Sequence, residues 1–450
     1  MDEEVNAGAA RTFAVLLGAH SPQLGLDSPF ARGFTQPEVP LRADAIAPVS
    51  TLLLFSGLLL WAPGLAILNV AGRFGLQPMV PVAAALLIVT WRRFRPQPTL
   101  LLCIGLATSA IALGAANTLT APGNRLSSGA AEILALGVGV ALASGINRDP
   151  RRFARFMDGY VIGGLFSSAV AIWQLFAYRI GAPLAYIPRN NLSFSLLDSA
   201  SALVHKRAFA VTPEPSVLAS LLLPLLAVLT VELISRPRRR TAIALVLGAG
   251  GLFAASSQSI ALAPAILAVA MVLGRRVRQR GVRRGDIWLA IVGLGLASGV
   301  VLAFPAALSS ISRFGDRSPT SSFGQRADDV SAALRAVEQR PLTGWGAGSV
   351  GEVLTTKRRE LRLDATAGAT SGALRVAVEL GAVGVIAMVA FTARLLPDLR
   401  RLGGQTERAE AVAMAVALTA SFTLFVGYRN LYHPWLILGL VGIRSRRDRS

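Results

Sequence analysis

The sequence predicts an all-α integral membrane protein with about twelve transmembrane helices, cytoplasmic N- and C-termini and one long outer loop that carries short helices. Of its 450 residues, 53% are hydrophobic and only 16% are charged, whereas soluble domains have about 25% charged residues. The apolar residues form blocks of roughly 16 to 26, close to the ~20 that a helix needs to cross the hydrocarbon. The formal charge of +20 comes from arginines between these blocks, so we expect no nucleic-acid partner.

Apolar blocks separated by arginine clusters define the predicted spans. They are 50–70, 76–91, 99–118, 129–146, 158–178, 215–235, 241–257, 259–274, 286–308, 371–396, 410–427 and 433–443. With the N-terminus in the cytoplasm, the dense arginine clusters fall on the cytoplasmic side, as the positive-inside rule requires. Removing any one span would move later clusters outside, which supports even the short span 433–443.

These spans and loops divide the chain into segments. The start of the chain is acidic and has no long apolar run, so we expect a cytoplasmic tail there rather than a signal peptide. The segments are the cytoplasmic tail 1–44, a transmembrane bundle 45–308 with an outer loop at 179–214, a long outer loop 309–370, the last spans 371–443 and a basic cytoplasmic tail 444–450.

Both outer loops hold basic residues on the side where the positive-inside rule disfavours them, although long loops are exempt from that rule. One interpretation is a solvated loop surface that also contacts lipid headgroups. The other is that some of these residues bind an anion arriving from the outer leaflet.

The segment 205–216 has the densest group of such residues, directly before the span 215–235. Pro215 suits the first turn of a helix, whose N-terminal amides would then face outward as an anion site. Arg207 offers a planar guanidinium that matches phosphate oxygens. Glu214 either caps the helix dipole or acts as a general base or as a group that orients an arginine. For His205 the simpler interpretation is a solvated loop residue.

In the long loop, apolar spacing predicts an amphipathic helix over 326–339, which a glycine-rich turn with Gly344 and Gly346 follows. These glycines allow close backbone approach, but they match no Walker or dinucleotide fingerprint. Asp328 and Asp329 point in different directions on a helix, and the loop has no Cys or His. We therefore expect no metal site there.

The span 371–396 opens with Ser371 as its N-cap and places Arg375 and Glu379 on one face. Charges at that depth usually face a partner or a wet cavity. They form either a structural ion pair or part of a substrate site. Glu132 is a further embedded acid for which the sequence identifies no partner.

Several motifs follow one another in a characteristic order. They are Arg207, Glu-Pro-Ser at 214–216, a serine-rich hairpin tip at 256–259, Arg326, Pro-Leu-Thr-Gly-Trp-Gly-Ala-Gly at 341–348 and Glu-Leu-Gly-Ala-Val-Gly at 379–384. This order resembles the O-antigen ligase and polysaccharide polymerase superfamily, which includes exopolysaccharide polymerases. The resemblance is clearest over about 200–390 and is limited to hydropathy in the earlier spans.

The resemblance implies transfer of an oligosaccharide from an outer-leaflet polyprenyl diphosphate to a sugar hydroxyl, in the synthesis of exopolysaccharide or lipopolysaccharide. The enzyme would lie in the bacterial plasma membrane with a periplasmic or extracellular active face, and it would need no metal or other cofactor. Its partners would be the lipid-linked donor, a glycan or lipid-linked acceptor and the bilayer, with a chain-length regulator as a further candidate. Catalytic candidates are Glu214, Arg207 and Arg326, and substrate-binding candidates are Arg313, Arg340, Gly344, Gly346, Arg375 and Glu379.

One departure from the family pattern concerns the acceptor side. Ligases of this family usually place His-Asn before the helix that here begins near Ser371, whereas this chain has Thr370-Ser371 and no His in 309–370. The departure favours a polymerase-type or divergent member and makes Glu214 the leading candidate for activating the acceptor hydroxyl.

Two other classes stay open. A multi-pass transporter or flippase of lipid-linked or anionic solutes would fit the span count, although we find no repeat between 50–235 and 241–443. A structural membrane protein would leave the outer arginines without a role.

Overall fold

Packed helices account for most of the described chain. The computed structural model describes residues 47–70, 74–93, 124–146, 149–185, 187, 190–191, 207–255, 258–279, 322–346, 348–363, 372–393 and 406–425. The helices are α1 (Ala47–Leu59), α2 (Met79–Thr90), α3 (Asn124–Ile146), α4 (Pro150–Ile180), α5 (Pro215–Ser235), α6 (Arg239–Ala255), α7 (Ala263–Gln279), α8 (Ser322–Gln339), α9 (Val350–Glu360), α10 (Gly372–Ala393) and α11 (Thr406–Phe425). Short 3₁₀ segments at Trp91–Arg93 and Gln258–Leu262 complete the helical elements of these residues.

Helix α5 forms the centre of the bundle. Its residues from Val217 to Glu232 are all buried, because α4, α6, α7 and α11 pack around it. A helix that is apolar all round needs such neighbours on every side. The sequence predicted a span over 215–235, and these are also the ends of the observed helix.

Close crossing of α1 and α4 depends on glycine. A Cβ on Gly57 or Gly159 would collide with a backbone carbonyl of the opposite helix, so only glycine permits this separation. Beside the crossing, Trp61 Nε1 donates to the Tyr160 carbonyl over 2.8 Å. The Tyr160 hydroxyl in turn donates to Leu221 O over 2.9 Å, which joins α4 to α5.

The predicted span 50–70 is wrong as a continuous helix. Helix α1 has 13 residues, about 20 Å at 1.5 Å per residue, which is less than the ~30 Å of hydrocarbon. An antiparallel hairpin of β1 (Leu68–Val70) and β2 (Phe74–Leu76) follows it. The reason lies in the segment between them, since Pro63 has no N–H to continue a helix and Gly64 donates to Val211 O.

A separate three-helix unit, formed by α8, α9 and the first half of α10, occupies much of the predicted long outer loop. Its core consists of small and branched residues: Ala332, Ala333, Ala336, Val353, Leu354 and Val378. The helix predicted over 326–339 is present and begins earlier, at Ser322. Helix α9 was not predicted. We therefore call α8, α9, the turn between these two helices and residues 372–380 the loop unit.

Two described helices, Pro150–Tyr178 and Pro215–Ser235, are long and apolar enough to cross a membrane. Shorter apolar helices occur at Pro48–Leu59, Met79–Thr90 and Ile133–Ile146. The number of spans and the orientation of the termini stay predictions. The predicted spans 99–118, 286–308 and 433–443 and both tails lie outside the described residues.

Candidate functional site

A short non-helical segment, 207–212, crosses one end of the bundle and is fixed there by backbone hydrogen bonds. Ala208 N donates to Ala254 O, at the end of α6, over 3.1 Å. Val211 O accepts from Gly64 N, in the turn after α1, over 3.2 Å. The segment thus ties together ends of helices that the predicted topology places on one side of the membrane.

Gln174, on α4, holds the middle of this segment. Its Oε1 accepts from the backbone N–H of Phe209 over 3.0 Å and from that of Ala210 over 2.8 Å. The Gln174 side chain is fully buried. Ala210 has a positive φ of 49°, which costs a residue with a Cβ about 1–2 kcal/mol. The paired bonds to Gln174 offset that cost and fix the direction of the chain.

Arg207 and Glu214 lie at either side of this clamped stretch. The Arg207 side chain is half-buried, as is that of Glu214. Thr212 strengthens the connection to α5, because its hydroxyl donates to Phe209 O over 2.6 Å and lies 3.0 Å from Glu214 O. The structure therefore brings the two residues of this predicted site to the same end of α5.

Glu214 occupies the N-cap position of α5, and Pro215 is the first helical residue. Its carboxylate makes no capping hydrogen bond to a first-turn amide and instead accepts from the Ser216 hydroxyl. Glu214 thus lies at the helix N-terminus without a capping hydrogen bond, and its role as a partner of the helix dipole, as a general base or as a group that orients an arginine stays a prediction. The first turn of α5 carries the partial positive charge of a helix N-terminus, which attracts anions.

The 3₁₀ segment Gln258–Leu262, which belongs to the hairpin tip between α6 and α7, packs beside α5. Ser259 Oγ lies 3.5 Å from Ser220 Oγ, and both residues are fully buried. Ser220 follows Ser216 by one helical turn, so the tip approaches α5 on the face that carries Ser216. Hydroxyl groups thus line this side of the N-terminal turn.

The second group of predicted residues surrounds a break in α10. Gly381 has φ 60° and ψ −153°, so the helical hydrogen bonds of the next residues are interrupted. Ala382 N donates to Pro341 O over 2.8 Å, and Val383 N lies 3.5 Å from Leu342 O. A Cβ on Gly381 would collide with the Leu342 carbonyl, so glycine is required at this position.

The glycine-rich turn also donates backbone hydrogen bonds to the broken helix. Trp345 N donates to Val378 O over 2.8 Å, and Gly346 N donates to Glu379 O over 2.9 Å. A Cβ on Gly344, whose φ is 65°, would collide with the Glu379 backbone. Gly344 and Gly346 therefore join the turn to α10, and their N–H groups bond to carbonyls rather than point at a ligand.

Arg375 and Glu379 form an ion pair inside the loop unit. Arg375 Nε lies 3.3 Å from Glu379 Oε2, and both side chains are largely buried. Glu379 Oε1 also accepts from Val350 N, the first residue of α9, at 3.4 Å. This matches the prediction of a structural ion pair, and substrate binding by either residue stays a prediction.

Basic residues of the loop unit mostly have protein partners. The Arg340 guanidinium lies 4.4 Å above the Trp345 ring, and Lys357 Nζ lies 5.5 Å from the same ring. Arg358 is fully buried and bridges α9 to α8 through Asp329 at 2.8 Å and Asp328 at 3.3 Å. Adjacent aspartates on a helix were expected to point apart, but the forked guanidinium reaches both.

The structure thus brings the predicted residues into two clusters. Glu214 and Arg207 lie at the start of α5, and Arg340, Gly344, Gly346, Arg375 and Glu379 lie in the loop unit. Helix α11 connects the two regions because it packs on both α5 and α10. Arg326 lies on α8, whereas Arg313 and His205 lie outside the described residues.

Sequence reasoning missed Gln174 and the buried bridge at Arg358. An amide within an otherwise apolar span is a signal that could have identified Gln174, since polar groups in a membrane segment usually have a function or a partner. Nothing comparable marked Arg358, which lies in a run of basic residues. Among the described residues, no three His, Cys, Asp or Glu side chains could hold a metal ion together.

Comparison with known proteins supports the resemblance over part of the chain. Residues 243–389 match the family model described as O-antigen ligase. The match covers α6, α7, the loop unit and most of α10, and therefore includes the hairpin tip and the Gly381 break. A search of curated proteins found no match.

Proposed function

From the O-antigen ligase match of residues 243–389, we propose that this protein is a bacterial membrane glycosyltransferase of the ligase or polymerase type. It transfers an oligosaccharide from a polyprenyl diphosphate to a sugar hydroxyl during synthesis of cell-surface polysaccharide. The observation that supports this assignment is the hydrogen-bonded segment 207–214, which directly precedes α5 and contains Arg207 and Glu214.

In the proposed reaction, the bond between the anomeric carbon and the diphosphate oxygen breaks, and a bond from that carbon to the acceptor oxygen forms. The diphosphate departs with the electron pair of the broken bond. The acceptor hydroxyl loses its proton to a base. The protein must therefore stabilise negative charge on the leaving group and hold donor and acceptor in line.

Arg207 and the first turn of α5 suit the leaving group. A guanidinium binds phosphate oxygens bidentately, and helix N-termini bind anions through backbone N–H groups and the helix dipole. Hydrogen bonds to Gln174 and Ala254 fix the backbone after Arg207, which supports a site whose backbone is set before the substrate arrives. Such preorganisation costs no rearrangement at the moment of reaction.

Glu214 suits the acceptor. Its carboxylate already accepts from the Ser216 hydroxyl, so a sugar hydroxyl that replaces or joins Ser216 would meet an oxygen able to take its proton. Arg326 and Arg313 are proposed as further donor contacts. Arg340, Arg375 and Glu379 are proposed to bind the acceptor glycan at the loop unit, whose backbone the Gly344 and Gly346 contacts hold to α10.

The leaflet in which donor accumulates distinguishes this proposal from a transporter. In cells that lack the protein, oligosaccharide on the lipid carrier should accumulate in the outer leaflet, and long glycan chains should be absent. An impermeant periodate or lectin probe applied to intact spheroplasts measures the outer pool. Accumulation confined to the inner leaflet would instead identify a flippase.

We expect Gln174 to act as a positioning residue for Arg207. Gln174→Leu removes the acceptor of two buried N–H groups, each of which would then cost about 1–3 kcal/mol, and should lower transfer by at least about tenfold. Gln174→Glu keeps an oxygen at that place and should retain most activity. A merely structural role would lower the amount of folded protein without changing the KM for the donor.

The readout is therefore donor KM and kcat per molecule of folded protein for both variants. Equal loss in the Leu and Glu variants, with an unchanged donor KM, would refute the positioning role. Ser167→Ala supplies a matched control, because Ser167 is another fully buried polar residue of α4, two turns of helix before Gln174.

A further inference from the structure

The turn 340–343 contacts the broken helix α10 and carries an exposed apolar side chain. Leu342 is 68% exposed, and Pro341 and Thr343 beside it are also exposed. Full burial of a leucine side chain is worth about 1.5–3 kcal/mol. An isolated exposed leucine needs no explanation, but this one contacts α10 directly beside the break at Gly381.

The turn contacts α10 at the point where the apolar half of this helix begins. The backbone carbonyl groups of Pro341 and Leu342 accept from Ala382 and Val383, the residues that directly follow the break. From Leu380 to Ala393 the helix has no charged residue. Its Val383 is 51% exposed and its Ile386 is 67% exposed, so an apolar surface continues from the turn along the helix.

On the other side of the break, α10 carries charged residues and packs on the other helices of the loop unit. Residues 372–380 contain the Arg375–Glu379 ion pair and contribute Val378 to the core shared with α8 and α9. The predicted span 371–396 therefore joins two different environments. Gly381 marks the boundary between them.

The residues around Leu342 match the composition of a membrane–water interface. Arg340, also exposed, lies over Trp345, which is half-buried. Tryptophan is enriched at the headgroup level of bilayers, and arginine places its apolar stem in the interface with its charge among the headgroups. With Arg340 and Trp345 at the headgroup level, the Leu342 side chain would reach the acyl chains.

We propose that the turn 340–343 inserts Leu342 into the adjacent leaflet of the bilayer and thereby anchors the loop unit to the membrane surface at the level of Gly381. The partner is the boundary between the headgroups and the acyl chains of that leaflet. The anchor fixes the height of the loop unit above the membrane. This inference requires that the protein lies in a membrane and does not depend on glycosyl transfer.

Spin-label accessibility tests the proposal on the full-length protein. Since Cys103 is the one cysteine of the chain, a Cys103→Ser background allows a single label at Leu342→Cys. Ile386→Cys serves as the lipid-exposed reference. Glu338→Cys serves as the aqueous reference, because Glu338 is 65% exposed and its ion pair with Arg335 lies on the surface, where such pairs contribute little to stability.

Each variant is reconstituted in phosphatidylcholine–phosphatidylglycerol vesicles and exposed to oxygen, which concentrates in hydrocarbon, or to a water-soluble nickel chelate. The oxygen-to-nickel collision ratio at Leu342→Cys should approach that at Ile386→Cys and exceed that at Glu338→Cys severalfold. A ratio equal to that at Glu338→Cys would overturn the proposal. Low collision with both reagents would also overturn it, because Leu342 would then be covered by protein, such as a second copy of the chain.

Discussion

Replacing Arg358 with methionine should open the loop unit. The guanidinium is fully buried between Asp329 and Asp328, and its removal leaves a buried carboxylate without its cation. Breaking a buried ion pair in this way costs about 3–5 kcal/mol. At about 1.4 kcal/mol per tenfold, the population of the open unit should rise at least a hundredfold.

Trypsin sensitivity of the purified protein measures that population, because cleavage of a transiently opened segment follows the opening equilibrium. The loop unit contains several trypsin sites within its helices, including Arg335 and Lys357. Opening of the unit would expose these sites to cleavage. Arg359→Met is the matched control, since Arg359 is exposed beside Arg358 and the change removes one trypsin site in the same way. The control should be cleaved at the rate of the unmodified protein.

A compensated variant separates loss of the bridge from loss of side-chain volume. Arg358→Met combined with Asp329→Leu and Asp328→Asn leaves no buried charge unpaired, and well-packed apolar replacements of buried ion pairs are often neutral or stabilising. Resistance to trypsin should return toward the original rate. Equal sensitivity of the single and the compensated variants would contradict the role assigned to the bridge.

Helices with a continuous apolar pattern could be predicted closely. The ends of α5 agree because Pro215 and the arginine cluster after Ser235 mark them in the sequence. The helix over 326–339 was recognised from its apolar spacing, and the Arg375–Glu379 pair from its four-residue separation. In each case the deciding interaction is local in sequence.

Features that depend on distant partners were missed. The turn between α1 and the hairpin is held by the Asn190 side chain, whose amide bonds to both backbone groups of Ala66, and by the Val211 carbonyl, which accepts from Gly64 N. Hydropathy does not reveal these partners. The break at Gly381 is stabilised by hydrogen bonds to the turn at 341–346. The apolar run in the sequence therefore did not indicate that the helix is broken there. These hydrogen bonds exist only once the chain has folded.

The candidate site shows the same division. Arg207, Glu214 and Pro215 were identified because they adjoin one another before an apolar helix. Gln174 fixes their position from α4, and the strained φ of Ala210 gives no signal in the sequence. For Gly344 and Gly346, the glycine pattern correctly indicated close backbone approach, but the approaching group is α10 of the same chain.

Arg207→Ala should abolish synthesis of long glycan while leaving the protein in the membrane. Removing a group that stabilises transition-state charge commonly costs a factor of about 10²–10³. Single repeat units should accumulate on the lipid carrier. Arg359→Ala, an equivalent change at an exposed arginine of the loop unit, should leave chain length unchanged.

Transfer by the purified protein tests the central claim most directly. The protein is reconstituted in liposomes with lipid-linked oligosaccharide extracted from cells that lack it, and glycan length and released polyprenyl diphosphate are measured together. The unmodified protein should lengthen the glycan or pass it to an added acceptor with release of one diphosphate carrier per transfer, and Arg207→Ala should be slower by at least about a hundredfold. Movement of intact donor between leaflets without release of the carrier would contradict the claim and identify a transporter.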